Sequence, residues 1–345
     1  MHLSIRMQTS LASLLCLAAI GGTANAQSAD GFFKGKQVTI MVGGTAGGGI
    51  DVGARIMSRH MGKHLPGNPS VVVQLYPGAG GVRLLEHLIQ AAPRDGTAIG
   101  AFASGPLLEP MIGGRKITYT MNDFTAVGAL DKDVTFCATS TSSKINTVDD
   151  AKERTVTVAG TGAASATDTE PLVLNALLGT KFKVITGYLG TQETLVAIER
   201  GEVDGRCAFG WMSLNASKPS WLPEKKVNLL VQIGLAKHPK LPDMPLASDL
   251  VSAEADKQLL RIVAAPLSLS RPYLAPPAVP AERAAEIRKA FINTTNDPDF
   301  RADFRKASAG EDPTATDGAA MQKLLAEMYA TPKPVQERLK KIVAP

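Results

Sequence analysis

The sequence predicts an α/β protein with two domains, and three observations favour this class. Strand-like apolar runs, short glycine-rich loops and helical patterns alternate along the chain. The same unit recurs in the middle of the chain, which indicates a second α/β domain. The 345 residues are 44% hydrophobic but only 5% aromatic, so they can fill two cores with mainly aliphatic side chains.

Residues 1–26 predict a secretory signal peptide. Arg6 supplies the positive start, and Ala24-Asn25-Ala26 forms a cleavage site of small residues. The apolar run between them, "LASLLCLAAIGG", is too short to span a bilayer, although an uncleaved membrane anchor is the alternative. We therefore expect export to the periplasm, with cleavage after Ala26 and a mature chain that begins at Gln27.

The first part of the chain predicts a parallel sheet. Each apolar run there ends in a glycine-rich bend and is followed by a helical pattern, as in a strand–loop–helix unit. In the first helix, Ile50, Ala54, Met57 and Met61 fall on one face at helical spacing. The predicted strands are residues 36–42, 70–76 and 96–103, and the predicted helices are residues 50–64 and 82–92.

The middle of the chain repeats this pattern, and the tail is helical. We predict that Gly179 and Gly201 end two middle helices and that Asn296 and Asp317 cap two helices of the tail. The predicted middle strands are residues 133–139, 155–160, 182–188, 202–209 and 227–234, with helices at 170–179 and 191–200. The predicted tail helices are residues 281–295, one beginning with 296–300, and 317–330.

Three glycine-rich loops that precede helices are candidates for an anion site. They are residues 43–49, 77–81 and 160–165. A helix N-terminus exposes unpaired N–H groups and a partial positive charge, and glycine lets an anion approach that backbone closely. None of the three loops contains lysine or arginine. This favours a carboxylate over a phosphate, held by N–H groups and by the hydroxyls of Thr45, Ser104, Thr161 and Ser165.

Two simpler interpretations stay open for these loops. The glycines could serve only to make tight turns between strands and helices. Asp51, at the start of the first helix, is most simply a capping or dipole-stabilising residue. Its alternative role is to accept an N–H group from the loop or from the ligand.

Charge and motifs argue against several other classes of protein. The formal charge of +5 is spread thinly and is not accompanied by stacked aromatic residues, which suits a small anion and not a nucleic acid. The sequence has no P-loop, dinucleotide fingerprint or serine nucleophile elbow. His60 and His64 share a helix face without an evident acidic or cysteine partner. We therefore predict no metal site, no cofactor and no enzymatic activity.

Two cysteines remain in the predicted mature chain, Cys137 and Cys207. Export permits a disulfide between them. Both lie in apolar, strand-like runs, and we interpret them as two buried thiols, with the disulfide as the alternative.

Several stretches, in order along the chain, resemble the periplasmic solute-binding proteins of tripartite tricarboxylate transporters, often called the Bug family. They are "GGGID", "VVVQLYPGAGG", "GYLGTQETLVAIERGEVDG", "KHPKLPDMP" and "APPAVPAERAAEIRKAF". The resemblance implies a periplasmic-binding-protein (Venus flytrap) fold, in which two α/β lobes are joined by crossing strands. The implied boundaries are 27–130 with 262–345 for the first lobe and 131–261 for the second.

The resemblance also implies a function and a site. A monomer would bind a small organic carboxylate between its lobes and deliver it to the membrane permease of a tripartite transporter. A ligand-sensing adaptor for a membrane kinase is the alternative. Phe209 and Trp211 are candidates for an apolar wall of the cleft or for the core. The candidate ligand-binding residues are Thr45, Ala46, Gly47, Gly48, Gly49, Ile50, Asp51, Gly78, Ala79, Gly80, Gly81, Ser104, Gly160, Thr161, Ala164, Ser165, Tyr188 and Asp204.

Overall fold

The fold is seen in a computed structural model that describes residues 29–112, 117, 119–163 and 165–344. The predicted signal peptide, residues 1–26, lies outside the described residues. Within the described ranges, no helix is both long and apolar enough to cross a membrane.

Strands and helices alternate through most of the described chain. The strands are β1 (Gln37–Val42), β2 (Ser70–Leu75), β3 (Ala98–Ala101), β4 (Thr125–Asp131), β5 (Thr135–Ser140), β6 (Val156–Gly160), β7 (Phe182–Thr186), β8 (Gly205–Gly210), β9 (Val227–Ile233), β10 (Ser270–Ala275) and β11 (Thr316–Asp317). The helices are α1 (Ala29–Phe32), α2 (Gly49–Met61), α3 (Val82–Gln90), α4 (Glu109–Ile112), α5 (Asp150–Glu153), α6 (Ala166–Leu178), α7 (Thr191–Glu199), α8 (Trp211–Ser217), α9 (Glu254–Ala264), α10 (Ala281–Asn296), α11 (Pro298–Ala307), α12 (Gly318–Tyr329) and α13 (Lys333–Val343).

Two mixed sheets, each with its helices, form the two lobes. The sheet of lobe 1 has the strand order β11-β4-β10-β3-β1-β2, and the sheet of lobe 2 has the order β7-β6-β8-β5-β9. In lobe 1, β1 pairs in parallel with β2 and β3, whereas β10 is antiparallel to β3 and β4. In lobe 2, β6 pairs in parallel with β7 and β8, whereas β5 is antiparallel to β8 and β9.

The sheets are therefore mixed, whereas the repeated strand–loop–helix pattern predicted a parallel sheet. The cause lies in the connections between the lobes. The chain leaves lobe 1 at the end of β4 and enters lobe 2 in β5, between Asp131 and Thr135, and it returns through α9 into β10. β4 and β10 pair with each other in antiparallel fashion in lobe 1, and β5 pairs antiparallel to β8 and β9 in lobe 2. Each sheet therefore combines these antiparallel pairs with parallel strand–helix–strand units. The predicted class, two α/β lobes, is confirmed.

Most predicted elements form where the sequence patterns put them. The first predicted helix is α2, whose residues Ala54, Met57 and Met61 are buried. Gly179 ends α6 with a φ of 72°, in the left-handed region that glycine adopts easily. Asp317 caps α12, because its side chain accepts the Ala320 N–H at 2.8 Å.

The cap of α11 differs from the prediction. Asn296 is the last residue of α10, and the side chain of Asp297 accepts the N–H groups of Asp299 and Phe300. Pro298 opens the helix at a position where the missing N–H of proline costs nothing. The structure also contains elements that were not predicted from the sequence, namely the strands β4, β10 and β11 and the helices α1, α5, α8, α9 and α13.

The largest apolar cluster spans both lobes. It joins Leu84 of lobe 1 to Leu174 of lobe 2 and includes Leu339 and Val343 of α13. The C-terminal helix α13 packs against α4, α6 and α9. It therefore helps to hold the two lobes together.

Candidate functional site

A cavity of about 120 Å³ lies between the two lobes. Lobe 1 contributes the loop after β1 and parts of the loops after β2 and β3. Lobe 2 contributes the starts of α6 and α7 together with β8 and α8. The lining residues are Gly43, Gly44, Thr45, Gly48, Ile50, Gly80, Ala103, Thr161, Ser165, Ala166, Thr167, Leu189, Gly190, Thr191, Arg206, Ala208 and Ser213.

Three helices begin at this cavity. α2 starts after Gly48, α6 after Ser165 and α7 after Gly190, and each of these three residues lines the cavity. The first four N–H groups of a helix have no partner within the helix and carry a partial positive charge. Because a glycine or serine precedes each helix, a ligand can come close to these N–H groups. The cavity therefore suits a negatively charged group.

Each of these helices has an acidic residue in its first turn, namely Asp51, Asp168 and Glu193. Asp51 Oδ2 accepts the Gly47 N–H at 2.8 Å, and Asp168 Oδ1 accepts the Gly162 N–H at 3.0 Å. Asp51 is only 2% exposed, so it holds the loop in shape from within lobe 1. Such carboxylates stabilise the helix starts and reduce the positive charge presented to the cavity.

The two lobes are in direct contact around the cavity. The Thr45 hydroxyl donates to Glu193 at 3.1 Å. The carbonyl of Gly47 accepts hydrogen bonds from Gln192 at 2.9 Å and from Ser217 at 3.0 Å. Because Thr45 and Gly47 belong to lobe 1 and the other three residues to lobe 2, the molecule has the closed arrangement of its lobes.

Loop 77–81 also approaches lobe 2. Gly78, Gly80 and Gly81 have φ angles of 127°, 64° and 105°, in the range that favours glycine. Gly80 reaches the cavity, where it faces Ser165 at the start of α6. Glycine therefore serves both the turn and the close approach of the lobes.

Three hydroxyl groups of lobe 2 form a network on the cavity wall. Thr161 Oγ1 donates to Ser165 Oγ at 2.8 Å and lies 3.1 Å from Thr167 Oγ1. Ser165 Oγ and Thr167 Oγ1 are also hydrogen-bonded. Asp168 accepts from Thr167 at 3.1 Å and so anchors the network in the protein. The network uses the single O–H donor of each hydroxyl, so these groups offer a ligand acceptor lone pairs.

Arg206, on β8, is a charged residue of the cavity lining that sequence reasoning missed. It is 4% exposed. Its Nη1 donates to Thr194 Oγ1 at 2.8 Å, and its guanidinium lies 4.7 Å from the centre of the Phe209 ring. Burial lowers the pKa of Arg206 to about 10, so the side chain stays charged at neutral pH. The available signal was a lone arginine in the otherwise apolar run "DGRCAFG".

Glu170, on α6, is buried beside β8. Its Oε2 accepts the Ala208 N–H at 3.0 Å, and its Oε1 lies 2.7 Å from Thr135 Oγ1. Burial raises the pKa of Glu170 to about 8, although these hydrogen bonds and the charge of Arg206 act in the opposite direction. Glu170 is therefore mainly protonated at neutral pH and leaves most of the charge of Arg206 uncompensated.

The structure brings part of the predicted site together at the cavity. The predicted residues that line it are Thr45, Gly48, Ile50, Gly80, Thr161 and Ser165. Ala164 lies outside the described residues. The remaining predicted residues are not among the lining residues: Ala46, Gly47, Gly49, Asp51, Gly78, Ala79, Gly81, Ser104, Gly160, Tyr188 and Asp204.

Asp204, Tyr188 and Ser104 each have a role or a position outside the cavity lining. Asp204 accepts the N–H and the hydroxyl of Thr157, each at 2.7 Å, and so fixes the start of β8 beside β6. The Tyr188 N–H donates to the carbonyl of Gly160 at 3.1 Å. Ser104 faces a separate, much smaller cavity at the lobe contact.

Phe209 and Trp211 belong to the interior and not to the cavity wall. Phe209 is fully buried in the core of lobe 2. Trp211 forms a second contact between the lobes, since its Nε1 donates to the Ser308 carbonyl at 3.1 Å and its ring stacks on His238. His238 Nε2 in turn lies 3.3 Å from Glu311 Oε1.

Cys137 of β5 and Cys207 of β8 form a disulfide between neighbouring strands. The interpretation of two buried thiols is therefore wrong, and the alternative is correct. The two cysteines are 70 residues apart, and only the strand order of the sheet brings them together. Because Cys207 follows Arg206, the disulfide lies on the strand that carries the cationic side chain of the cavity.

The two histidines of the first predicted helix have acidic partners that are distant in sequence. His60 Nε2 lies 3.1 Å from Asp303, and His64 Nε2 lies 2.9 Å from Asp297. The two pairs join this helical segment to α11 and the residue that caps it. Among the residues that the structure describes, no group of three or more histidine, cysteine, aspartate or glutamate side chains is arranged to hold a metal ion.

Comparison with known protein families gives a match over most of the chain. A family model described as "Tripartite tricarboxylate transporter family receptor" matches residues 53–340. The matched region includes loop 77–81, α6, α7 and Arg206. This match confirms the resemblance seen in the sequence. No curated protein sequence matches the chain significantly.

Solved structures share the fold at low sequence identity. The periplasmic binding protein BugD is 20% identical, with a TM-score of 0.71 over 90% of this chain and 98% of its own. MatC (Rpa3494) from Rhodopseudomonas palustris with bound malate is 20% identical, with a TM-score of 0.68 over 90% of this chain and 100% of its own. R. palustris Rpa4515 with adipate is 18% identical, with a TM-score of 0.68 over 90% of this chain and 97% of its own. These likenesses confirm the predicted two-lobed binding-protein fold.

Proposed function

Because this chain belongs to the receptor family of tripartite tricarboxylate transporters, we propose that it is a periplasmic receptor for a small organic carboxylate. One observation carries the proposal: three helix starts and the cationic residue Arg206 line a single cavity between two lobes. An anionic group gains unpaired backbone N–H donors and a charged hydrogen-bond donor there.

Binding proceeds by closure of the lobes. The ligand docks on the donors of one lobe, and the other lobe closes over it by a hinge motion through the connecting strands. The hydrogen bonds from Thr45 to Glu193 and from Gln192 to Gly47 stabilise the closed form. The closed receptor then delivers the acid to the membrane permease of a tripartite transporter, and opening releases it.

Two proteins of similar fold support an organic acid as the class of ligand. MatC was solved with malate and Rpa4515 with adipate. Both ligands are carboxylates. The chemistry of the cavity, with N–H groups, hydroxyls and one guanidinium, agrees with that class.

The proposal is tested by identifying the ligand of protein purified from the periplasm without unfolding. Mass spectrometry of the small molecules released on denaturation should detect an organic acid in stoichiometric amount. Cells that lack the receptor should then lose uptake of that acid in labelled form. A released molecule without an acidic group would contradict the proposal. Unchanged uptake together with a lost transcriptional response to the acid would favour the sensing adaptor.

A further inference from the structure

We propose that Arg206 sets the charge of the ligand and that the cavity selects a short monocarboxylate over di- and tricarboxylates. This inference rests on the proposed carboxylate-binding function and narrows it to one class of acid. Three features support it: the way in which Arg206 is held, the charge balance of the cavity, and the volume of the cavity.

Arg206 is held in place by the protein itself. Nη1 donates to Thr194 Oγ1 at 2.8 Å and Nη2 to the Ala208 carbonyl at 3.4 Å, while the Phe209 ring packs against the guanidinium. Each Nη atom carries two N–H groups, and these hydrogen bonds among the described residues use one of each. The two remaining N–H groups belong to a residue that lines the cavity. A planar pair of such donors matches the two oxygens of one carboxylate.

The cavity has one charged residue in its lining, Arg206. Apart from Arg206, its lining residues are uncharged. Glu170 is mainly protonated at neutral pH because burial raises its pKa to about 8. Each helix start is worth only about half a positive charge and has a carboxylate in its first turn, Asp51, Asp168 or Glu193, so the helix starts add no net positive charge. A second carboxylate would therefore be buried without a cation to pair with, which is strongly unfavourable.

The volume of the cavity agrees with a short acid. A protein cavity of about 150 Å³ holds one benzene molecule, so in the same proportion a cavity of about 120 Å³ accommodates roughly five non-hydrogen atoms. Glycolate has this size and lactate and pyruvate are one atom larger, whereas succinate, malate, adipate and citrate are larger still. The hydroxyl oxygens of Thr161, Ser165 and Thr167 can accept a hydrogen bond from a ligand hydroxyl beside the carboxylate.

Calorimetric titration of the ligand-free protein tests the limits on charge and size. The probes are lactate, pyruvate, glycolate and 3-hydroxybutyrate on one side, and succinate, malate and citrate on the other. We expect at least one monocarboxylate to bind about tenfold or more tightly than every di- or tricarboxylate. Tighter binding of succinate, malate or citrate would overturn the proposal and leave the carboxylate receptor intact. A natively bound molecule without an acidic group would overturn both.

Variants of Arg206 test its role directly. Arg206→Gln should lower the affinity for the best-binding monocarboxylate about 30-fold or more. The variant should also bind this acid at most about threefold more tightly than its neutral amide. Arg206→Lys keeps the charge but loses the planar pair of donors, so it should lie between Arg206→Gln and wild type. Arg200→Gln is the matched control, because Arg200 is exposed at the end of α7 in the same lobe. It should bind as wild type does.

Thr194→Val tests the same site without removing the arginine. Thr194 is a positioning residue, because its Oγ1 accepts a hydrogen bond from Arg206 Nη1. Valine keeps the shape of the side chain and removes this hydrogen bond, together with the one that the Thr194 hydroxyl donates to the Thr191 carbonyl. Affinity for the best-binding monocarboxylate should fall about three- to tenfold, and the preference for acid over amide should fall with it. Circular dichroism melts identify the variants that fold. If Thr194→Val, Arg206→Lys or Arg206→Gln folds and keeps the acid preference of wild type, Arg206 does not recognise the carboxylate and the proposal is wrong.

Discussion

A Cβ atom on Gly80, in lobe 1, would lie 2.5 Å from the Cβ atom of Ser165, at the start of α6 in lobe 2. Carbon atoms that are not bonded do not approach so closely, because attraction is already optimal near 3.5–4.0 Å and repulsion dominates at shorter distances. The closed arrangement of the lobes therefore requires a glycine at this position. With the lobes apart, Ser165 no longer occupies that space.

Gly80→Asp should separate folding from binding. The φ of 64° at Gly80 is tolerated by aspartate better than by most residues, so the open form should fold with a melting temperature near that of wild type. The side chain should block closure and place a second carboxylate near the ligand. Ligand affinity measured by calorimetry should fall about tenfold or more, which corresponds to about 1.4 kcal/mol.

Gly35→Asp is the matched control for this variant. Gly35 lies in lobe 1 with a φ of 71°, and a Cβ atom there would meet no other atom within 4 Å. The Gly35→Asp variant has the same backbone strain as Gly80→Asp, but its side chain does not contact lobe 2. Gly35→Asp should bind normally. A Gly80→Asp protein that folds and binds as tightly as wild type would contradict the account of closure.

Gln192→Ala should weaken the closed form only. The amide of Gln192 donates across the cleft to the Gly47 carbonyl at 2.9 Å. Loss of one such bond is worth about 0.5–1.5 kcal/mol, so ligand affinity should fall about two- to tenfold, mainly through faster dissociation. Stopped-flow kinetics measure that rate. Gln74→Ala, at an exposed position of β2, should leave it unchanged, and equal rates for wild type and Gln192→Ala would exclude a role for this hydrogen bond.

Glu170 should make the protein less stable as the pH rises. Burial raises the pKa of Glu170 from its ordinary value of 4.5 to about 8, so the folded protein binds this proton more tightly than the unfolded chain does. The free energy of unfolding is then highest near or below the ordinary pKa and falls as the pH approaches 8, with a limiting slope of about 1.4 kcal/mol per pH unit.

Urea unfolding of wild type and Glu170→Gln between about pH 5 and pH 8 checks this dependence. The glutamine keeps the shape of the side chain but does not titrate, so the decline with pH should be shallower in the variant. Burial also raises the pKa of Asp131, to about 7, which adds the same decline to both proteins. Equal slopes for the two proteins would show that Glu170 ionises normally in the folded state.

Removal of the disulfide should lower stability. The Cys137–Cys207 bond closes a long loop, whose ends are 70 positions apart in sequence. Replacing both cysteines with alanine should reduce the free energy of unfolding by about 2–5 kcal/mol, as measured by urea unfolding. Reducing agent should lower the melting temperature of wild type and leave that of the double variant unchanged. No difference between the oxidised and reduced wild type would refute this prediction.

Local patterns predicted much of the fold and part of the cavity. Glycines that end strands and precede helices indicated the loops of Thr45, Gly80 and Ser165, because a helix start and a glycine turn both leave a signature of a few adjacent residues. Gly179 likewise marked the end of α6 through its left-handed conformation.

The rest of the site depends on which strands become neighbours. Arg206 lies on β8, far in sequence from loops 43–49 and 77–81, and reaches the cavity only because the two lobes close on each other. The disulfide required the antiparallel pairing of β5 with β8. Neither the position of Arg206 at the cavity nor the Cys137–Cys207 disulfide follows from residues that are adjacent in sequence. Periodicity and spacing therefore could not predict them.

A thermal-shift panel of carboxylic acids, each paired with its neutral amide, tests most directly whether the cleft binds a carboxylate. A ligand at about 100 times its dissociation constant stabilises the folded protein by about 2.7 kcal/mol. We predict that at least one acid raises the melting temperature and that its amide does not, because the amide lacks the charge that Arg206 attracts and has one acceptor oxygen fewer for the N–H groups of the helix starts. Equal shifts for acid and amide throughout the panel, or the absence of any shift, would contradict the account.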